Sequence, residues 1–125
     1  IFNNCFAKNS NDTVFEISKL FYDNRLNKAA TLAYQTVCDE ALKNVNRKNF
    51  TMEAFSDLVT KYNEHNIPTY TEMILGLPGE TYDSFCDGLC KLIEAGQQTA
   101  LTVYYCQVYP NSLMGKKRIP RFTRY

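Results

Sequence analysis

"TEMILGLPGETYDSF" (residues 71–85) runs from apolar side chains into a Gly-Pro-Gly turn and then into helical spacing. A strand that ends in such a turn and hands over to a helix is one βα unit. The two glycines admit either a tight turn or a loop whose backbone a ligand can approach, and free amides at the following helix start favour anionic groups. The stretch is neither a Walker loop nor a dinucleotide fingerprint, because no Gly-Lys-Ser/Thr and no G-x-G-x-x-G occurs in it. Its neighbours have to decide between turn and ligand loop.

Working outward, Pro68 biases Ile67 toward extended geometry, so the strand begins at about Thr69 and runs to Leu75. Tyr82, Phe85, Leu89, Leu92 and Ile93 mark the helix that follows, ended near Gly96. Residues 99–109 read as a further strand closed by Pro110. On the other side, Thr51 caps a helix with Met52, Phe55, Leu58, Val59 and Tyr62 on one face. Before it come a strand at 28–36 and a short helix at 39–47. The chain opens with an apolar run at 1–7, then a helix in which Thr13 and Glu16 form a capping box and Val14, Ile17, Leu20 and Phe21 form the apolar face. Four strands alternating with helices imply parallel pairing, hence an α/β fold that is either a doubly wound sheet or part of a (β/α) barrel. Ligands in both sit at the carboxyl ends of the strands. That rule selects 7–10, Gln35 with Thr36, 76–80, and 107–114.

The bulk properties narrow the function. The chain has 125 residues and a net charge of +1, so no strong field draws it to nucleic acid or to a membrane. No apolar stretch reaches the ~20 residues that span a bilayer. Five cysteines without a framework spacing fit a reducing cytoplasm. Five of the 14 basic residues fall in 116–125, which reads as a basic tail with little order of its own. The sequons at Asn11 and Asn49 read as accidental in such a setting.

Candidate chemistry is spare. The Gln35 amide suits a hydroxyl-rich ligand such as a ribose, and the Arg47 fork suits a carboxylate. Cys86 and Cys90, at i and i+4 on a helix, read as structural thiols. His65, the one histidine, reads as a helix cap. Without a second histidine or a nucleophile–base pair, hydrolytic chemistry is not indicated.

Four stretches in series carry a family resemblance. "AYQTVCDEALKNVNRKN" (33–49) resembles the Gln-Ser…Leu-Lys…Arg-x-Asn segment of radical S-adenosylmethionine (SAM) enzymes. "IPTYTEMILGLPGETYDSF" (67–85) resembles their fifth barrel strand and its loop. "YYCQVYPNSLMG" (104–115) is similar to the sixth-strand segment of members that also carry a cobalamin-binding domain, and "FAKNSNDTVFEISKLF" (6–21) to the third strand and helix of those relatives. The resemblance implies that residues 1–115 form strands three to six of a TIM-type (β/α)6 partial barrel. In that family a [4Fe–4S] cluster cleaves SAM to a 5′-deoxyadenosyl radical, which takes a hydrogen from a small-molecule or peptide substrate or starts methyl transfer. Cobalamin is implied as a further cofactor, on a domain outside this chain.

By the same resemblance, Gln35 and Thr36 approach the SAM ribose and Arg47 its carboxylate. Ile74 and Gly76 line the adenine side, and Pro110, Asn111 and Met114 border the adenine or substrate pocket. The cluster loop Cys-x-x-x-Cys-x-x-Cys is absent from the sequence, as is the Gly-Gly-Glu segment that holds the SAM amino group. Glu72 stands where the fifth-strand pattern has a glycine, and Glu80 falls one position late. No catalytic residue or metal ligand is therefore assigned to this chain, and the expected parent is an enzyme whose missing barrel half supplies the cluster. The alternatives are a free-standing doubly wound nucleotide-binding domain and a degenerate, non-catalytic barrel.

Overall fold

The computed structural model describes residues 12–116. Three parallel strands form one sheet in the order β1-β2-β3: β1 (Ala30–Gln35), β2 (Thr69–Leu75) and β3 (Ala100–Tyr105). Helices α1 (Asp12–Asp23), α2 (Asp39–Asn44), α3 (Met52–Glu64), α4 (Tyr82–Glu94) and the single turn α5 (Leu113–Lys116) complete the described chain. The expected strand at 1–7 and its exit at 7–10 lie outside the described residues, as does the tail beyond Lys116. The other three expected strands are present. β2 has the expected bounds, whereas β1 and β3 are shorter than the apolar runs that announced them.

The strands alternate as a one-sided wall. In β1, Ala30, Leu32 and Tyr34 are buried, while Thr31, Ala33 and Gln35 are half-buried. In β2, Thr69, Thr71 and Met73 are buried opposite Tyr70, Glu72 and Ile74. The buried set packs with Phe55, Val59 and Tyr62 of α3 and with Phe85 and Leu92 of α4. The other face stays half-open, which is unusual for an open parallel sheet, normally covered on both sides. A half-open face is what the inner wall of a partial barrel requires.

Local chemistry sets the helix ends. Thr51 accepts from the Ala54 amide at the start of α3, and Thr81 and Ser84 exchange a full capping box at the start of α4. Gly96 ends α4 at φ +105°. His65 caps α3, its Nδ1 lying 2.9 Å from the Lys61 carbonyl. The first helix differs from expectation. Thr13 lies within α1 and not at its cap, and the buried face is Phe15 and Ser18, with Ile17 and Leu20 exposed. Ser18 is drawn inside because the Tyr62 hydroxyl donates to its Oγ at 3.2 Å, and Phe15 meets the Tyr62 ring edge-on.

One polar residue ties the bottom of the sheet together. The buried Gln97 accepts from Thr71 Oγ1 (2.9 Å) and Thr69 Oγ1 (3.3 Å) and donates to the carbonyls of Thr69 (3.0 Å) and Ala100 (3.1 Å). It thereby joins the start of β2 to the start of β3. Replacing it with the apolar near-isostere leaves several buried polar groups without these partners. Gln97→Leu is expected to lower unfolding stability by about 2–4 kcal/mol in urea denaturation; a loss below 0.5 kcal/mol would show that the clamp is dispensable.

Candidate functional site

The exit of β1 is strained. Gln35 has φ +70°, and the Thr36 amide donates back to the Tyr34 carbonyl at 3.0 Å, the pattern of a tight γ-turn centred on Gln35. Glutamine has no intrinsic preference for that region, so the conformation persists only if its surroundings over-determine it. They do. Asn49 Nδ2 donates to both carbonyls that bracket Gln35, to Tyr34 at 2.7 Å and to Thr36 at 2.9 Å. Arg47 Nη2 donates to the Ala33 carbonyl at 2.8 Å, and Arg47 Nε donates to Asn49 Oδ1 at 3.0 Å. The strand register also shifts between Ala33 and Gln35, so the turn bulges out of the ladder with β2.

The exit of β2 is pinned from its other end. Glu80 is buried, and the buried Thr36 hydroxyl donates to its Oε1 while accepting from the Cys38 amide at 3.0 Å. The Gly76–Glu80 loop is thus fastened to the residue next to Gln35. Burial raises the Glu80 pKa above the usual carboxylate value, and the Thr36 hydrogen bond opposes that shift. Asn44 Nδ2 donates to the Pro78 carbonyl at 2.9 Å. Both glycines have a positive φ, +88° at Gly79 and +90° at Gly76, so the demand for glycine is conformational at each. Gly79 is in addition packed closely on α2, where a Cβ would crowd the Asn44 and Glu40 side chains, whereas at Gly76 a Cβ would meet only Cys106 Cβ at an ordinary 3.9 Å.

Between the three strand exits lies a cleft of about 230 Å³. Gln35 contributes from β1, Ile74 and Leu77 from β2, Cys106 and Gln107 from β3, with Arg47 and Met114 beside them. A larger open groove of about 970 Å³ lies on the other side of Asn46 and Arg47, floored by Tyr34 and Phe50. It draws on one strand alone, whereas the smaller cleft unites all three. Of the residues expected from sequence, Gln35, Arg47, Ile74 and Met114 therefore meet in one place. Gly76 follows Ile74 and Leu75 at the cleft edge. Thr36 stands behind the wall, fully buried with its hydroxyl committed to Glu80, and Pro110 and Asn111 sit exposed in the turn after β3, away from the lining.

Sequence reasoning gave Asn49 no role beyond a sequon and the last position of the Arg-x-Asn resemblance; its amide nitrogen is in fact held by two carbonyls. It also missed the Thr36–Glu80 pair, whose 44-residue separation left no local signal. Gln107 fell inside the selected segment 107–114 and Cys106 just before it, neither being singled out; burial pushes the Cys106 thiol pKa up. Arg47 is half-buried and its pKa is lowered by desolvation, though it stays a cation. Cys86 and Cys90 are free thiols, and among the described residues no group of three or more His, Cys, Asp or Glu side chains could hold a metal ion. No helix among them is long and apolar enough to cross a membrane.

No protein-family model matches the chain. The cobalamin-dependent radical SAM methyltransferase TokK of Streptomyces tokunonensis is 46% identical over 107 residues, which are 86% of this chain and 16% of that protein. This chain is homologous to a segment of the radical SAM enzymes. A 2-(S-pantetheinyl)-carbapenam-3-carboxylate methyltransferase of Streptantibioticus cattleyicolor matches equally, at 46% over 107 residues and 16% of its length. A probable threonylcarbamoyladenosine tRNA methylthiotransferase of Methanocaldococcus jannaschii is 31% identical over 90 residues, 70% of this chain and 21% of that protein. The radical SAM segment thus spans about a sixth to a fifth of the curated relatives it matches. In fold it is similar to the radical SAM enzyme HemN, coproporphyrinogen III oxidase of Escherichia coli, with TM-score 0.65 and 21% identity over 81% of this chain and 23% of that one. The three parallel strands accordingly form part of a radical SAM type barrel.

The buried carboxylate makes a pH prediction. A glutamate whose folded pKa is raised takes up a proton on folding, so its contribution to stability is greatest below its unfolded pKa of about 4.5 and is lost as pH rises through the folded value. Glu80→Gln keeps an acceptor for Thr36 and removes the titration. In thermal melts from pH 4 to 8, stability of wild type relative to Glu80→Gln is expected to fall as pH rises; a difference independent of pH would contradict the shift.

Proposed function

We propose that this chain forms the SAM-side wall of a radical SAM enzyme of the cobalamin-using kind. The observation that carries the reading is the single cleft in which an amide, a guanidinium and apolar side chains from three strand exits converge. That donor set fits SAM: Gln35 would take the ribose hydroxyls, Arg47 the carboxylate, and Ile74 with the Gly76 backbone the flat adenine ring. Met114 would border the same pocket, with Pro110 and Asn111 at its rim. Thr36 would act from behind, holding the turn. When bound, SAM and a reduced [4Fe–4S] cluster supply one-electron chemistry for hydrogen abstraction or, with cobalamin, for methyl transfer to a small-molecule or peptide substrate.

The residues of this chain bind and orient; they donate no cluster ligand, so the cluster would be held by residues outside it, and the 125 residues alone are proposed to be inactive. The rest of the barrel would pack against the edge of β3, beside which no further strand lies among the described residues. Exposure of Val103 (44%), Tyr104 (52%) and Tyr105 (80%) on the edge strand β3 supports such a neighbour. Free thiols at Cys38, Cys86, Cys90 and Cys106 fit a reducing cytoplasm.

The test is a two-dimensional NMR titration of the isotope-labelled chain with S-adenosylhomocysteine, which needs no cluster. Saturable shifts are expected at Gln35, Ile74, Gly76 and Cys106, weakened at least tenfold by Gln35→Ala. Shifts produced instead by AMP or ATP, with indifference to S-adenosylhomocysteine, would replace this reading with a nucleotide-binding domain.

A further inference from the structure

We propose that Asn49 is a positioning residue that fixes Gln35 and Arg47 as one unit on the wall of the cleft. The inference deepens the SAM-site reading and rests on it. Neither ligand-side residue is held by its own element. Gln35 occupies a positive-φ turn that glutamine does not favour, and Arg47 lies in a loop between α2 and α3.

Asn49 is the point where the two meet. Its amide nitrogen donates to the carbonyls on either side of Gln35, at 2.7 and 2.9 Å, and its amide oxygen accepts from Arg47 Nε at 3.0 Å. Both ends of the planar amide are therefore committed, which fixes its orientation without ambiguity. Arg47 closes the circuit by donating from Nη2 to the Ala33 carbonyl at 2.8 Å. The result is a ring of hydrogen bonds from β1 through Asn49 to Arg47 and back to β1. Asn49 lines the far groove, together with Arg47, and does not line the cleft itself, so it acts through the other two side chains.

The chemistry needs an amide at this place. Aspartate has the same shape and would pair well with Arg47, but it would set a carboxylate oxygen against the Tyr34 and Thr36 carbonyls, so the turn at Gln35 would open while Arg47 stayed held. Alanine would release both.

Two readouts on the full 125-residue chain separate this role from general stability. The first needs no ligand: exchange of the Thr36 amide, which closes the turn, is expected to quicken at least tenfold in Asn49→Asp and Asn49→Ala relative to wild type, with Met73 and Phe55 amides unchanged. The second is affinity for S-adenosylhomocysteine by NMR titration. Asn49→Ala is expected to weaken it at least tenfold in the wild-type background but less than threefold in a Gln35→Ala, Arg47→Ala background, because its effect passes through those side chains. Unaltered Thr36 exchange in Asn49→Asp, or an effect of equal size in both backgrounds, would overturn the proposal. Should Asn49→Ala fail to fold, the isosteric Asn49→Asp carries both measurements. A wild-type chain that ignores S-adenosylhomocysteine would overturn the SAM-site reading, and the proposal that Asn49 holds the turn would then be decided by Thr36 exchange alone.

Discussion

The turn at Gln35 is the constraint on which the site depends. A glutamine at φ +70° costs on the order of 1–3 kcal/mol unless its neighbours hold it. Asn49 holds it from the side of the α2–α3 loop, and the Thr36–Glu80 hydrogen bond holds it from the side of the β2 exit. Each tie also fixes something else. The Asn49 tie orients Arg47, and the Glu80 tie fastens the Gly76–Glu80 loop. The strain at one residue is thus the common anchor of three parts of the cleft wall.

The half-open sheet face gives the same conclusion at a larger scale. Along β1 and β2 the residues facing α3 and α4 are buried, whereas those facing the other way are half-buried and mixed in polarity: Thr31, Ala33, Gln35, Tyr70, Glu72 and Ile74. A sheet sealed on both sides would carry apolar residues there. A barrel interior that admits polar ligands would not. Glu72, half-buried in the middle strand on the face it shares with Ile74, fits a surface that water or a ligand reaches.

Much of this was legible in the sequence, and for identifiable reasons. Pro68 and Gly76 bracket β2 chemically, so its bounds could be read directly. Thr51 and Thr81 carry helix starts in their side-chain oxygens. β1 was read at 28–36 although alanine is a poor strand former, and the structure confines it to Ala30–Gln35, where buried and half-buried residues alternate. The α1 face was misread because Ser18, a polar residue, takes a buried position opposite the Tyr62 hydroxyl, while Ile17 and Leu20 point outward. β3 was expected to run on to 109, but the ladder with β2 ends at the Leu75–Tyr105 pair, after which the chain turns toward the cleft. Thr36 and Glu80, 44 residues apart, and the double donation of Asn49 are long-range polar contacts, which no local pattern encodes. Of the site residues named by family resemblance, Gln35, Arg47, Ile74 and Met114 line the cleft, whereas Thr36 stands behind it and Pro110 and Asn111 sit away from it.

The central claim is that this wall works with a second barrel half that carries an iron–sulfur cluster. The most direct measurement is the coding sequence upstream of Ile1. The account predicts a Cys-x-x-x-Cys-x-x-Cys loop followed by Gly-Gly-Glu, within about two βα units of this segment and in the same reading frame. A frame that opens at Ile1, with neither motif encoded, would contradict it and leave the cleft as a binding site without radical chemistry.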